Sequence, residues 1–276
     1  MTISREETLH EMGLSPLWKL RDQPAAGRGA PDAAPAPITV ETPVEPRSAV
    51  GDENPPVQTP RSSLPPDADR AGQIARLGWD ELRQNVAECR ACGLCAERKQ
   101  AVLGVGDVAA DWLFIGEGPG AEEDARGEPF VGPAGKLLDA MLAAIDLQRG
   151  EDVYIANAVK CRPPGNRTPE PAEMAACAPY LERQIALLQP KVIVLLGRAA
   201  VHAVLGEEGS LASLRGKPFA YRDGERSIPV IVTYHPAYLL RTLPDKAKAW
   251  EDLCRARALM REAKAAGLAN PANVAI

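Results

Sequence analysis

Aromatic side chains are scarce in these 276 residues: they make up 4% of the chain, with three Phe, four Trp and five Tyr. Histidine is scarcer still, at three. Positive charge is not in excess either, since 32 Lys and Arg face 37 Asp and Glu for a net charge of −5. That balance excludes a broadly cationic nucleic-acid coat, although cations gathered on one face would still serve. No apolar run approaches the roughly 18 residues of a membrane span. The N-terminus lacks the short apolar core and small-residue cleavage site of a secretory signal. G-x-x-x-x-G-K-[ST] and the G-x-G-x-x-G spacing are missing too, which argues against a nucleotide-phosphate cradle. A cytoplasmic protein without membrane contact is expected.

Proline is abundant but uneven. Eleven of the 26 fall within residues 24–70, among Ala, Gly, Ser, Asp and Glu, with almost no apolar periodicity. Such a composition buries too little apolar surface to offset its ordering entropy, so 24–70 reads as a disordered linker. Residues 1–70 also hold seven Lys and Arg against eleven Asp and Glu, which leaves the remainder close to neutral. Ahead of the linker, residues 6–21 carry Leu9, Met12, Leu17, Trp18 and Leu20 among charges. Within residues 1–23 this makes a candidate short docking helix for a protein partner, and a functionless terminus fits equally well. The globular domain is expected over 71–270.

From residue 71 apolar strands and amphipathic helices alternate. Strands are predicted at 112–116, 152–156, 191–196 and 229–234. Helices are predicted at 79–89, 133–147, 170–188, 198–205 and 245–266, with a polar, hairpin-like stretch at 216–228. The uninterrupted Val192-Ile193-Val194-Leu195-Leu196 suits a strand covered on both faces. Alternating β and α implies a three-layer α/β/α fold around a mainly parallel, four-stranded sheet, with ligands at the carboxyl ends of the strands. The segments of unusual composition, 116–132, 157–168 and 234–241, all come directly after strands and converge on one expected site.

The first begins Gly116-Glu117-Gly118-Pro119-Gly120 and continues to Pro129-Phe130-Val131-Gly132. Its glycines open the main chain to a planar ligand. Asn157 closes a strand, where a held amide can read a base edge, and where Asn also commonly serves as a turn former. Phe130 suits stacking on a base if its loop is exposed, or core anchoring if not. His235 opens His-Pro-Ala-Tyr-Leu-Leu-Arg directly after a strand; His10 and His202 have no such setting. Cys89-Arg90-Ala91-Cys92, with Cys95, Cys161 and Cys177, admits a zinc site, a redox pair or an iron–sulfur cluster; the redox reading lacks a thioredoxin-like context.

Together these segments resemble the family 4 uracil-DNA glycosylases, the iron–sulfur branch of that superfamily, over roughly residues 80–260. Lys160-Cys161-Arg162-Pro163-Pro164-Gly165-Asn166-Arg167 carries the resemblance most literally. It implies a structural 4Fe-4S cluster on Cys89, Cys92, Cys161 and Cys177, and a monomer that removes uracil from single- or double-stranded DNA to leave an abasic site. By the same resemblance Phe130 stacks on the base, and Gly118, Gly120, Asn157 and Asn166 bind substrate. His235 supports the departing uracil, while Glu117 and Glu123 belong to the catalytic neighbourhood, either of them being able to hold a loop instead. Leu239, with Leu240 as second candidate, wedges into the duplex, and Arg241 contacts phosphate. Plain helix formation is the other reading of the two leucines. A related branch traps uracil-DNA covalently through a histidine in a long basic insertion. The loop after the second strand here is short and has no histidine, which disfavours the covalent trap and favours turnover; a non-turnover uracil-DNA sensor or trap of the same superfamily is the alternative reading.

Overall fold

The computed structural model describes residues 68–268. The docking element expected within 1–23, and the linker as far as residue 67, lie outside the described residues. The described chain starts with α1 (Ala68–Ile74), three residues before the expected domain start, and α2 (Trp79–Glu88). Six strands then form one mixed sheet in the order β1-β3-β2-β4-β6-β5. They are β1 (Val105–Gly106), β2 (Trp112–Gly116), β3 (Val153–Asn157), β4 (Val192–Leu196), β5 (Phe219–Asp223) and β6 (Arg226–Thr233). The helices between and after them are α3 (Ala121–Arg126), α4 (Pro133–Ala143), α5 (Pro171–Leu188), α6 (Arg198–Leu205), α7 (Leu211–Leu214), α8 (Pro236–Leu239) and α9 (Lys246–Leu268). No helix among the described residues is long and apolar enough to cross a membrane.

The four central strands, β3, β2, β4 and β6, are mutually parallel, as the sequence predicts. The sheet has six strands rather than four because antiparallel edges flank this centre: β1 on β3 and β5 on β6. β1 is two residues long and carries no readable periodicity. β5 alternates between intermediate and exposed positions, the pattern of an edge strand with one wet face, so its polarity resembled a loop.

Alternation along the strands sorts the core. Val192, Val194 and Leu196 face Leu138, Leu142, Leu253 and Met260 from α4 and α9. Ile193 and Leu195 face Leu181, Ile185, Ala200 and Val201 from α5 and α6. This is the three-layer arrangement, with helices on both faces. A third, smaller cluster joins Ile74, Leu82, Val86, Met174 and Tyr180 around Cys161 and Cys177.

Register is what positions the site. Gly116 pairs level with Asn157, Ile115 with Leu195, and Leu196 with Thr233. The four parallel strands therefore end together. Glu117, Ala158, Gly197 and Tyr234, each the first residue past a strand, emerge at a single carboxyl edge, the usual ligand side of such sheets.

Candidate active site

A cavity of about 760 Å³ opens at that edge. Its wall includes Glu117, Gly118, Gly120, Glu123, Phe130, Asn157, Asn166, His235 and Arg241, so nine of the expected residues share one space. The side chain of Asn157 sits at the end of β3 and is 2% exposed. Its Oδ1 has no hydrogen-bond partner among the described residues, a costly condition for a buried acceptor unless a ligand supplies the donor. A Cβ on Gly116 would lie 2.5 Å from this oxygen and 2.5 Å from the Phe130 ring, which is why glycine ends β2.

Phe130 departs from its expected exposure: at 6% it is a buried wall of the cavity. Its ring stacks on that of His235 with centroids 5.4 Å apart and planes inclined by 29°. Burial and stacking on the site are compatible, because one face packs on the protein while the ring still lines the void.

The His235 ring is fixed by its own main chain. Its Nδ1 accepts the Ala237 N–H at 3.1 Å, leaving the proton of a neutral imidazole on Nε2. Burial, then the nearby Arg241, push its pKa down to about 4, with Glu123 opposing. At neutral pH the residue is therefore an uncharged Nε2–H donor beside the cavity.

The two glutamates separate. Glu123 gives Oε2 to the Gly120 N–H at 3.1 Å, and Oε1 to Val131 and Gly132 N–H at 2.9 and 3.2 Å. A carboxylate occupied by three main-chain donors from two loops holds those loops, the alternative the sequence left open for it. Burial raises the Glu117 carboxyl above the usual carboxylate range, and a hydrogen bond with Thr168 partly offsets this. Glu117 lines the cavity.

Leu239 is corrected outright. It is fully buried in the core beside α4 and α9 and cannot enter DNA. Leu240, the second candidate, is 42% exposed. α8 ends at Leu239 with Leu240 as its C-cap, so the pair closes a helix rather than starting one. Arg241 is exposed and donates to the Ala237 carbonyl at 2.9 Å. Asn166, with φ of 56°, accepts from Arg162 Nε at 2.7 Å through Oδ1 at the rim.

Sequence reasoning missed the end of β4 and the loop beyond it. Gly197, with φ of 94°, delivers the exposed Arg198 to the cavity wall, joined by Ser210, Leu211 and Ala212. The available signal was the same as at β2, an apolar strand running straight into glycine, here with a cation next in the chain.

On the far side of the 158–169 loop, Cys89, Cys92, Cys95, Cys161 and Cys177 line a second, small cavity. Main-chain and guanidinium N–H groups point at its sulfurs. Arg98 Nη1 lies 2.8 Å from Cys161 Sγ, Lys160 N 3.3 Å from Cys177 Sγ, and Arg70 Nη2 3.6 Å from Cys89 Sγ. Burial pushes the Cys177 thiol up to about 12, so without a bound cation that sulfur stays protonated. Among the described residues no three such side chains group closely enough to hold a single metal ion. A polynuclear cluster needs its thiolates spread wider than one ion does, and donors to sulfur suit it. Cys254 is exposed and apart.

A family model for the uracil DNA glycosylase superfamily matches residues 103–254. The type-4 uracil-DNA glycosylase of Thermotoga maritima is 43% identical over 184 residues, 66% of this chain and 94% of that protein. The type-4 enzyme of Archaeoglobus fulgidus is 44% identical over 165 residues, 58% of this chain and 82% of its own. A type-5 uracil-DNA glycosylase from Thermus thermophilus is 38% identical over 137 residues, covering 45% and 60% of the two chains.

Proposed function

The chain belongs to the uracil DNA glycosylase superfamily, and we infer from its cavity that it hydrolyses the N-glycosidic bond of deoxyuridine in DNA, releasing uracil and leaving an abasic site for base excision repair. The observation that carries this reading is the buried, unpartnered Oδ1 of Asn157 on the cavity wall. A base reaches such a site only by leaving the stack. Uracil N3–H then supplies the missing donor to Oδ1, and the Asn157 amide donates to O4. Cytosine presents the opposite pattern at both atoms, and unmatched buried groups give strong rejection.

The reaction breaks the bond between N1 and C1′, both electrons leaving with uracil. His235 Nε2–H donates to O2 as negative charge accumulates there. A neutral donor with its other nitrogen already occupied is preorganised for this task, and removing such a donor typically costs roughly 2.7–4 kcal/mol of transition-state stabilisation. Phe130 stacks on the base, and the main chain at Gly118 and Gly120 approaches it without a side chain between. Water attacks C1′ of the sugar cation. Glu117 orients that water and takes up its proton, and the departing uracil anion gains one from solvent. Leu240 fills the vacated stack, while Arg241 contacts phosphate. The enzyme acts as a monomer on single or double strands.

Cys89, Cys92, Cys161 and Cys177 would hold a 4Fe-4S cluster, whose contribution when bound is to cross-link α2, α5 and the 158–169 loop. Nothing in the hydrolysis needs electron transfer. Brown protein with four irons and loss of colour in Cys177→Ser would support this assignment; colourless active protein would remove it.

The decisive experiment is multiple-turnover cleavage of a uracil-containing oligonucleotide, developed with alkali. Turnover that falls in both Asn157→Asp and His235→Ala is the expected result. Binding of uracil-DNA without product release would instead make the protein a sensor or trap.

A further inference from the structure

Phe130 has φ of 56°, a conformation that bulky residues seldom adopt. Such a residue persists only where its surroundings over-determine it. Here they do so from both sides of the loop. On the amide side Glu123 takes the N–H groups of Val131 and Gly132. On the carbonyl side Arg149 Nη1 donates to the Pro129 carbonyl at 3.0 Å and Nη2 to the Phe130 carbonyl at 2.9 Å. The same guanidinium gives Nε to Asp139 Oδ1 of α4 at 2.9 Å. α4 itself backs onto the loop so closely that a Cβ on Gly135 would lie 1.7 Å from the Phe130 carbonyl oxygen.

Arg149 does not line the cavity. Its side chain is 24% exposed and that of Asp139 50%, so the pair adds little as an ion pair. What the arrangement supplies is geometry: one planar fork fixes two consecutive carbonyls and a helix at once. A lysine, with a single point of donation, cannot span all three.

We propose that Arg149 is a positioning residue for uracil excision, holding the Phe130 ring at the height where it stacks on the flipped base. This rests on the reading of Phe130 as the stacking wall. With Arg149 removed, both carbonyls turn to water, the Phe130 backbone relaxes toward ordinary φ, and the ring leaves its place between Gly116 and His235.

The test is steady-state kinetics on a uracil oligonucleotide for Arg149→Met, Arg149→Lys, Phe130→Leu and the Arg149→Met/Phe130→Leu double variant. Affinity for the same oligonucleotide without uracil, and thermal melting, are measured alongside. Arg149→Met should lower kcat/KM about tenfold, with little rescue by Arg149→Lys and uracil-free binding unchanged. Beside Phe130→Leu the same substitution should cost less than about twofold more, since both act through one ring. Losses that multiply in the double variant, or unchanged kinetics in Arg149→Met, would overturn the proposal. So would a parallel fall in uracil-free binding and melting temperature, the mark of a merely structural role. If Phe130→Leu alone has no effect, the stacking reading itself fails and the proposal goes with it. Should Arg149→Met not fold, Asp139→Asn repeats the cycle at smaller amplitude, about threefold, again vanishing beside Phe130→Leu or else counting against it.

Discussion

Adjacent leucines show how little of a residue's role its type reveals. Leu239→Ala removes a fully buried side chain from the α4–α9 core and should destabilise the protein by about 2–5 kcal/mol. Leu240→Ala, at an exposed position, should change stability by no more than about 0.5 kcal/mol yet slow excision from duplex DNA. Denaturant melts and single-turnover rates on both variants check the pair. His235 supplies a second residue-scale prediction. With its pKa near 4, kcat/KM should show no inflection at the ordinary 6.5 of histidine, and the acid limb should lie lower. Because folding depresses this pKa, the folded state binds fewer protons between those values. The stability it contributes is complete above pH 6.5 and is lost as pH falls toward 4, by roughly 3 kcal/mol in all. An inflection at 6.5 that disappears in His235→Ala would contradict the assignment.

Elements with a strong apolar pattern of their own were legible in the sequence, and short polar ones were not. β2, β3 and β4 announce themselves by buried apolar runs, and α6 and α9 by apolar spacing, within one or two residues of the observed ends. α3, α7 and α8 span six, four and four residues, too few for periodicity to register. Their starts come from local caps instead: the Gly120 N–H on Glu123, the Ser213 N–H on Ser210 Oγ and the Ala237 N–H on His235 Nδ1. Glu123 was legible as belonging to the site, but its role was not, because its three partners are main-chain groups that no side-chain pattern reveals. Glu123→Gln leaves an amide facing N–H groups that want an acceptor. It should lower stability by about 1–3 kcal/mol and loosen the Gly120 and Val131 loops together. Glu117→Gln should lower kcat with stability nearly unchanged. Finding the reverse in melts and kinetics would exchange the two roles.

For the whole molecule, the described domain begins earlier than composition indicated. Arg70 donates to the Ala176 carbonyl at 3.0 Å and toward Cys89 Sγ, and lies over the Tyr180 ring at 5.1 Å. The charged, proline-flanked sequence around it hides this, since its contacts are 19 and 106 residues away. Deleting residues 1–67 should leave turnover on oligonucleotides nearly intact. Deleting through Arg70 should weaken the cysteine site, seen as faster loss of bound iron to a chelator. A large activity loss in the shorter deletion would make the N-terminal segment part of the enzyme.

The level ending of the four parallel strands has a bearing on how such a protein can change. In the proposed reaction the strand ends carry different duties: the opening of the cavity and the water-directing Glu117 after β2, base choice at β3, a cation after β4, the leaving group's support after β6. Base choice sits at one end and bond cleavage at two others, so substitution at the β3 tip alters one property while the sheet, packed through other residues, keeps its shape. Base preference and bond cleavage can therefore drift independently, and a lineage built on this frame can acquire a new target base without relearning how to break the bond.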